Sequence, residues 1–68
     1  MGNWQKVYED AQEYRAAIVH SILKENFLDP VIVNKKDTNY QFGSFEVHVA
    51  PDHVIRALKI IEDEVDFK

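Results

Sequence analysis

The spacing of apolar and polar positions changes repeatedly along this chain, and each change marks an element. Trp4, Val7 and Tyr8 fall in a short run of β-forming residues, which predicts a strand over Trp4 to Glu9. From Ala11 to Asn26 the period is helical. Arg15, Ile18, Val19, Ile22, Leu23 and Asn26 share one broad side, and Ala16 completes it where close packing needs a small residue. Glu13, Ala17, His20, Ser21 and Lys24 fall mostly on the opposite side. Asp10 suits the helix N-cap, with Glu13 at capping-box spacing. Asp29-Pro30 closes the helix, because the residue before a proline is pushed out of the α region.

Val31-Ile32-Val33 is β-branched throughout and predicts a second strand. Phe45-Glu46-Val47-His48-Val49 alternates apolar and polar, as a strand with one buried face does. The connection Asn34–Ser44 is long for a hairpin. Tyr40 and Phe42 suggest that the third strand starts earlier, but their parity is opposite to that of Phe45, Val47 and Val49. One extra residue at Gly43-Ser44 restores it, so a β-bulge is expected there, with the turn confined to about Lys35–Asn39. Pro51 and Asp52 suit the start of a second helix, and Val54, Ala57, Leu58, Ile61 and Val65 form its apolar stripe. Val65-Asp66-Phe67 is at most a vestigial fourth strand, since almost no turn residues precede it.

The order β-α-β-β-α in 68 residues describes a single α+β domain over 1–68. A helix joins strands one and two, which makes them parallel, and strand three returns antiparallel between them. The expected arrangement is ferredoxin-like with a short or missing fourth strand, both helices on one face of a small antiparallel or mixed sheet. Strand one is then an edge.

Composition narrows the function. A chain of this size buries roughly 60% of the surface its unfolded form exposes, which leaves little room for a deep substrate pocket. Cysteine is absent, which favours a reducing compartment. No apolar run approaches the length of a membrane span, so a cytoplasmic protein without a membrane partner is the expectation. The net charge of −4 argues against non-specific nucleic-acid binding. The acidity gathers late, at Glu62, Asp63, Glu64 and Asp66, as a solvated helix end and tail.

Several pieces in order carry a resemblance: Ala16 to Glu25, then Val31 to Asp37, Phe42-Gly43, Phe45 to Val49, and Ala57 to Ile61. Together they resemble the small bacterial domain-of-unknown-function family described as prokaryotic signal-transducing proteins. That family is similar in fold to the ferredoxin-like, nitrogen-regulatory PII-like group. The resemblance implies a role in signal transduction. In PII proteins the loop between strands two and three contacts partners; the equivalent here, Asn34–Ser44, is far shorter, and no ATP or partner site is carried over.

No catalytic constellation stands out. Ser21 and Ser44 lack a nucleophile-elbow context, the two glycines make no phosphate loop, and His48 with His53 matches no zinc spacing. The expectation is a non-enzyme without metal or cofactor. Two surfaces remain as candidates. The first is the loop with Lys35, Lys36, Asp37 and Tyr40, where lysines beside turn amides suit an anion or an acidic partner, and where Tyr40 and Phe42 suit a small-ligand pocket. The second is the open sheet face. With Val7, Phe45, Val47 and Val49 toward the helices, Trp4, Lys6, Tyr8, Ile32, Glu46 and His48 face away. Its aromatics suit a protein interface. RNA stacking is the weaker alternative, given the acidic balance. Self-association is expected through that face or through the edge of strand one, which carries Lys6 but no proline.

Overall fold

The computed structural model describes residues 4–37 and 42–65. Its elements follow in the order β1 (Gln5–Asp10), α1 (Glu13–Glu25), β2 (Val31–Asp37), β3 (Phe42–Val49), a 3-10 turn (Pro51–His53) and α2 (Val54–Glu64). The domain is α+β, and among the described residues its sheet has three strands in the order β1-β3-β2, both pairings antiparallel. One layer of helix lies on one layer of sheet, within extents of 35 × 32 × 15 Å. No helix among the described residues is long and apolar enough to cross a membrane.

The core is a single cluster on the helical side: Val7, Ala16, Val19, Leu23, Leu28, Val47, Val49 and Ala57. The odd-numbered residues of β3 supply its floor, as the alternation requires. From α1 come Ala16, Val19 and Leu23; Ile18 lies on the exposed flank of the side expected to be buried. From α2 comes Ala57, with Val54, Ile60 and Ile61 packed around it. Leu58, expected in that stripe, is exposed instead, and Ile60 takes its place. Leu58 has helical spacing with Val54 and Ile61, Ile60 has it with Ala57, and the contacts that α2 makes with β1 and α1 decide between them.

The entry to α1 differs from the expected capping box. Asp10 ends β1 and accepts the Gln12 N–H at 2.8 Å, while Gln12 occupies the cap position. The exit is set before Pro30. The Phe27 N–H donates to the Lys24 carbonyl at 3.0 Å and the Leu28 N–H to the Leu23 carbonyl at 3.2 Å. These two bonds are the Schellman motif, and its accompanying hydrophobic contact is between Leu23 and Leu28, both fully buried.

The β-bulge is on a different strand from the one expected. From Val31 opposite His48 to Asp37 opposite Phe42, the β2–β3 register is unbroken, and Gly43 pairs with Lys36 without interruption. The shift falls in β1: Lys6 pairs with His48, but Tyr8 pairs with Val47. Val7 is the extra residue. In a regular strand Val7 and Tyr8 face opposite ways; the bulge lets Val7 enter the core and Tyr8 pack against it. Tyr8 therefore leaves the open face on which its parity places it. Ile32 does so too, because it pairs with Val47 on the helical side, where it stays partly exposed at the sheet edge.

Candidate interaction surfaces

The bulge at Val7 also builds a polar cluster on the open face. Residues three apart on a regular strand lie on opposite faces, yet the register puts Lys6 beside His48 and Glu9 beside Glu46, all on one side. The Lys6 Nζ reaches Glu9 Oε1 at 2.9 Å and Glu46 Oε2 at 3.7 Å. His48 Nε2 donates to Glu46 Oε1 at 2.9 Å. The Ser44 hydroxyl also donates to Glu9, and Lys35 stands close enough to act on its charge. Glu46 is the centre of the cluster. On the middle strand, at 9% exposure, it is held by the Lys6 ammonium and the His48 imidazole.

The electrostatics follow from these contacts. Glu9 is held below the usual carboxylate range first by the hydrogen bond from Lys6, then by that from Ser44. Lys6 is raised by the same bond and by the charges of Glu9 and Glu46. Val31 and Val33 pair with His48 and Glu46 and so line the same face along β2. Val31 is 42% exposed. The open face thus has a charged column on β1 and β3 beside an aliphatic one on β2.

A second network lies at the junction of β1 and α1. The Tyr8 hydroxyl donates to Asp10 Oδ2 at 2.8 Å, and the Arg15 guanidinium stands 3.7 Å from that oxygen. Arg15 also stacks over the Tyr14 ring, 5.7 Å from its centre. Burial is the first cause that pushes the Tyr8 phenol up to about 12, and the bond to Asp10 adds to it. Asp10 is held low by the Gln12 N–H and by Tyr8. His20 braces the other end of α1: its Nε2 lies 3.0 Å from the Pro30 carbonyl, which can only accept, so the imidazole donates from Nε2.

Of the residues singled out in the sequence, Lys6, Glu46 and His48 come together. Trp4 is half-buried just ahead of β1. Lys35, Lys36 and Asp37 stand on the paired strand β2, not in a turn, which removes the turn amides that an anion-binding loop requires. Tyr40 lies outside the described residues, as does the proposed strand at Val65–Phe67 beyond Val65. Glu9 and Ser44 are also members of the cluster; Ser44 shares the parity of Glu46 and His48, and Glu9 is the one that parity alone conceals. Among the described residues no group of three or more His, Asp or Glu side chains is arranged to hold a metal ion.

Two further features have no signal in the sequence pattern. Phe27 and Asp29 both have left-handed backbone, at φ 63° and 49°. Phe27 is also 84% exposed, as is Ile55 on α2. No family model, no curated protein and no solved structure matches the chain.

Proposed function

We propose that this chain is a non-enzymatic regulatory or protein-interaction module of ferredoxin-like architecture, cytoplasmic, and connected with signal transduction as its family resemblance implies. One observation carries the interaction reading. The core residues of the sheet lie on its helical side, and the opposite face presents an ordered charged column next to the exposed Val31. A pre-formed polar cluster flanked by aliphatic surface is the composition of a protein interface with a wet rim. The placement of β3 between β1 and β2 among the described residues supports a ferredoxin-like order.

The RNA reading loses support, because Tyr8 turns into the core and the carboxylates of Glu9 and Glu46 stand where bases would stack. A small-ligand or anion sensor at the β2–β3 connection is weaker for the same kind of reason, with Lys35 and Lys36 on a paired strand.

The test is capture of partners from the source cells on immobilised wild type and on a Lys6→Glu, Val31→Lys variant, with mass spectrometry of what is retained. Proteins lost only on the variant, and amide shifts on β2 and β3 when the captured protein is added back, support the reading. Identical retention on both columns, or a shift map that avoids the open face, sinks it.

A further inference from the structure

The residue after the C-cap of a helix that ends in a Schellman motif is normally glycine, because its backbone is left-handed. Here that residue is Phe27, at φ 63°. A side chain at this position strains the backbone. The strain is usually offset by packing of the side chain, yet Phe27 is 84% exposed. The motif's own hydrophobic contact is made by Leu28 and Leu23 and does not need Phe27. The loop around it is held firmly: His20 bonds to the Pro30 carbonyl at 3.0 Å, and the Asn26 side chain to the Ile22 carbonyl at 2.8 Å. An aromatic ring is therefore held out to solvent on a strained and braced loop, the arrangement expected of a pre-organised anchor.

The topology brings a second exposed side chain to the same end of the domain. Val31 at the start of β2 pairs with His48 near the end of β3, so the α1–β2 connection and the start of α2 share one end of the sheet. Ile55 opens α2 there and is also 84% exposed. The charges around the two differ in balance: exposed Lys24 stands beside Phe27 and exposed Asp52 beside Ile55, but in each case two charges of the other sign outnumber it. Glu25 and Asp29 flank Phe27, and Arg56 and Lys59 flank Ile55, all four exposed. Among the described residues none of the four has a salt-bridge partner.

We infer that this end binds a second copy of the chain about a two-fold axis. Phe27 of each copy seats on Ile55 of its partner, and Glu25 and Asp29 face Arg56 and Lys59 across the interface. A two-fold interface requires that if one residue meets another, the reverse contact also forms. An apolar pair with opposite charges around its two members satisfies that condition. This inference rests on the reading of the chain as an interaction module and names one partner for it. The two surfaces adjoin at Val31 and His48, but they fail separately: Phe27→Gly and Ile55→Ser leave Lys6 and Val31 in place, and sedimentation reads self-association alone.

Sedimentation velocity on the full chain, from micromolar to millimolar concentration, tests it. The expected result is a dimer that Phe27→Gly weakens about tenfold or more, while the thermal midpoint of the monomer rises because glycine relieves the strain. Ile55→Ser weakens the dimer to a similar extent without disturbing the core. Arg56→Glu weakens it too, and Glu25→Lys added to Arg56→Glu restores part of the loss. A strict monomer at every concentration overturns the inference and leaves Phe27 to a heterologous partner, even if capture through the open face succeeds. A dimer that neither Phe27→Gly nor Ile55→Ser loosens overturns it as well.

Discussion

The open face of the sheet and the end of the domain bearing Phe27 are both exposed, but they are built in opposite ways. On the open face each charge has a counterpart: Lys6 meets Glu9 and Glu46, and Glu46 meets His48. At the other surface Phe27 holds a left-handed backbone without the packing that would offset it, and Ile55 is in water. The difference separates two kinds of surface residue. The first kind contributes to the fold by itself, and its presence says little about partners. The second costs the isolated fold something, so its explanation lies outside the isolated chain.

The largest effect sets the scale of that comparison. Leu23 and Leu28 are fully buried, and they make the hydrophobic contact that accompanies the Schellman motif. Leu23→Ala should destabilise the domain by about 2–5 kcal/mol, the range for large-to-small changes in cores. Ile55→Ala, on the exposed side of α2, should change stability by no more than about 0.5 kcal/mol. Urea denaturation of both variants checks this. Similar losses for the two would mean that Ile55 packs within its own chain, and the contrast between the surfaces would fail.

Phe27→Gly comes next, and its sign matters more than its size. Relief of a left-handed side chain is worth about 1–2 kcal/mol, partly cancelled by the extra freedom of glycine in the unfolded chain. A net gain of about 0.5–1 kcal/mol is expected at concentrations where the chain is monomeric. If the variant is instead less stable there, the ring contributes to its own fold, and Phe27 belongs with the first kind of residue.

These two surfaces were unequally legible in the sequence. The element order, the core positions Val47 and Val49, and the grouping of Lys6, Glu46 and His48 follow from local periodicity, which strand alternation preserves. The position of the bulge does not. It depends on how β1 pairs with β3, some forty positions away in sequence, and the glycine that drew attention, Gly43, sits in an unbroken ladder. Because of that one shift, simple alternation puts Tyr8 on the open face and Glu9 on the core side, the reverse of where they stand. Phe27 was hidden for a different reason. Helix ends are sought at glycine or before proline, and here a Schellman motif forms without glycine, before Pro30 is reached.

The open-face cluster allows a smaller test. Glu46 sits between Lys6 and His48 at 9% exposure, so Glu46→Ala removes the shared acceptor of a partly buried network. A loss of about 1 kcal/mol is the expected order for a hydrogen bond to such a group. Lys6→Ala should lose less, because its ammonium is well exposed and is screened by salt. A salt titration of the wild type and Lys6→Ala compares them: their difference should shrink as ionic strength rises. If it stays constant, the Lys6 stem acts by packing, and the charged column is not the self-neutralised surface described above.

The smallest effect concerns the junction of β1 and α1, where the same bulge places Tyr8 on the helical side. Its phenol is raised from an ordinary value near 10 to about 12, first by burial and then by its bond to Asp10. A raised value means that the folded chain holds this proton more tightly than the unfolded chain does. The stabilisation is fully present below about pH 10 and is lost as pH rises through about 12. Asp10 and Glu9 work in the opposite direction. Both are held low, so their contribution is present above the ordinary carboxylate range and is lost as pH falls through their folded values. The chain has three tyrosines, so the difference in tyrosinate absorbance between wild type and Tyr8→Phe isolates this one. It should titrate late in the wild type and earlier when Asp10→Asn removes the acceptor charge. A Tyr8 that titrates at its ordinary value would return the ring to solvent. The register at Val7, and with it the shared face of Lys6 and Glu9, would then have to be redrawn.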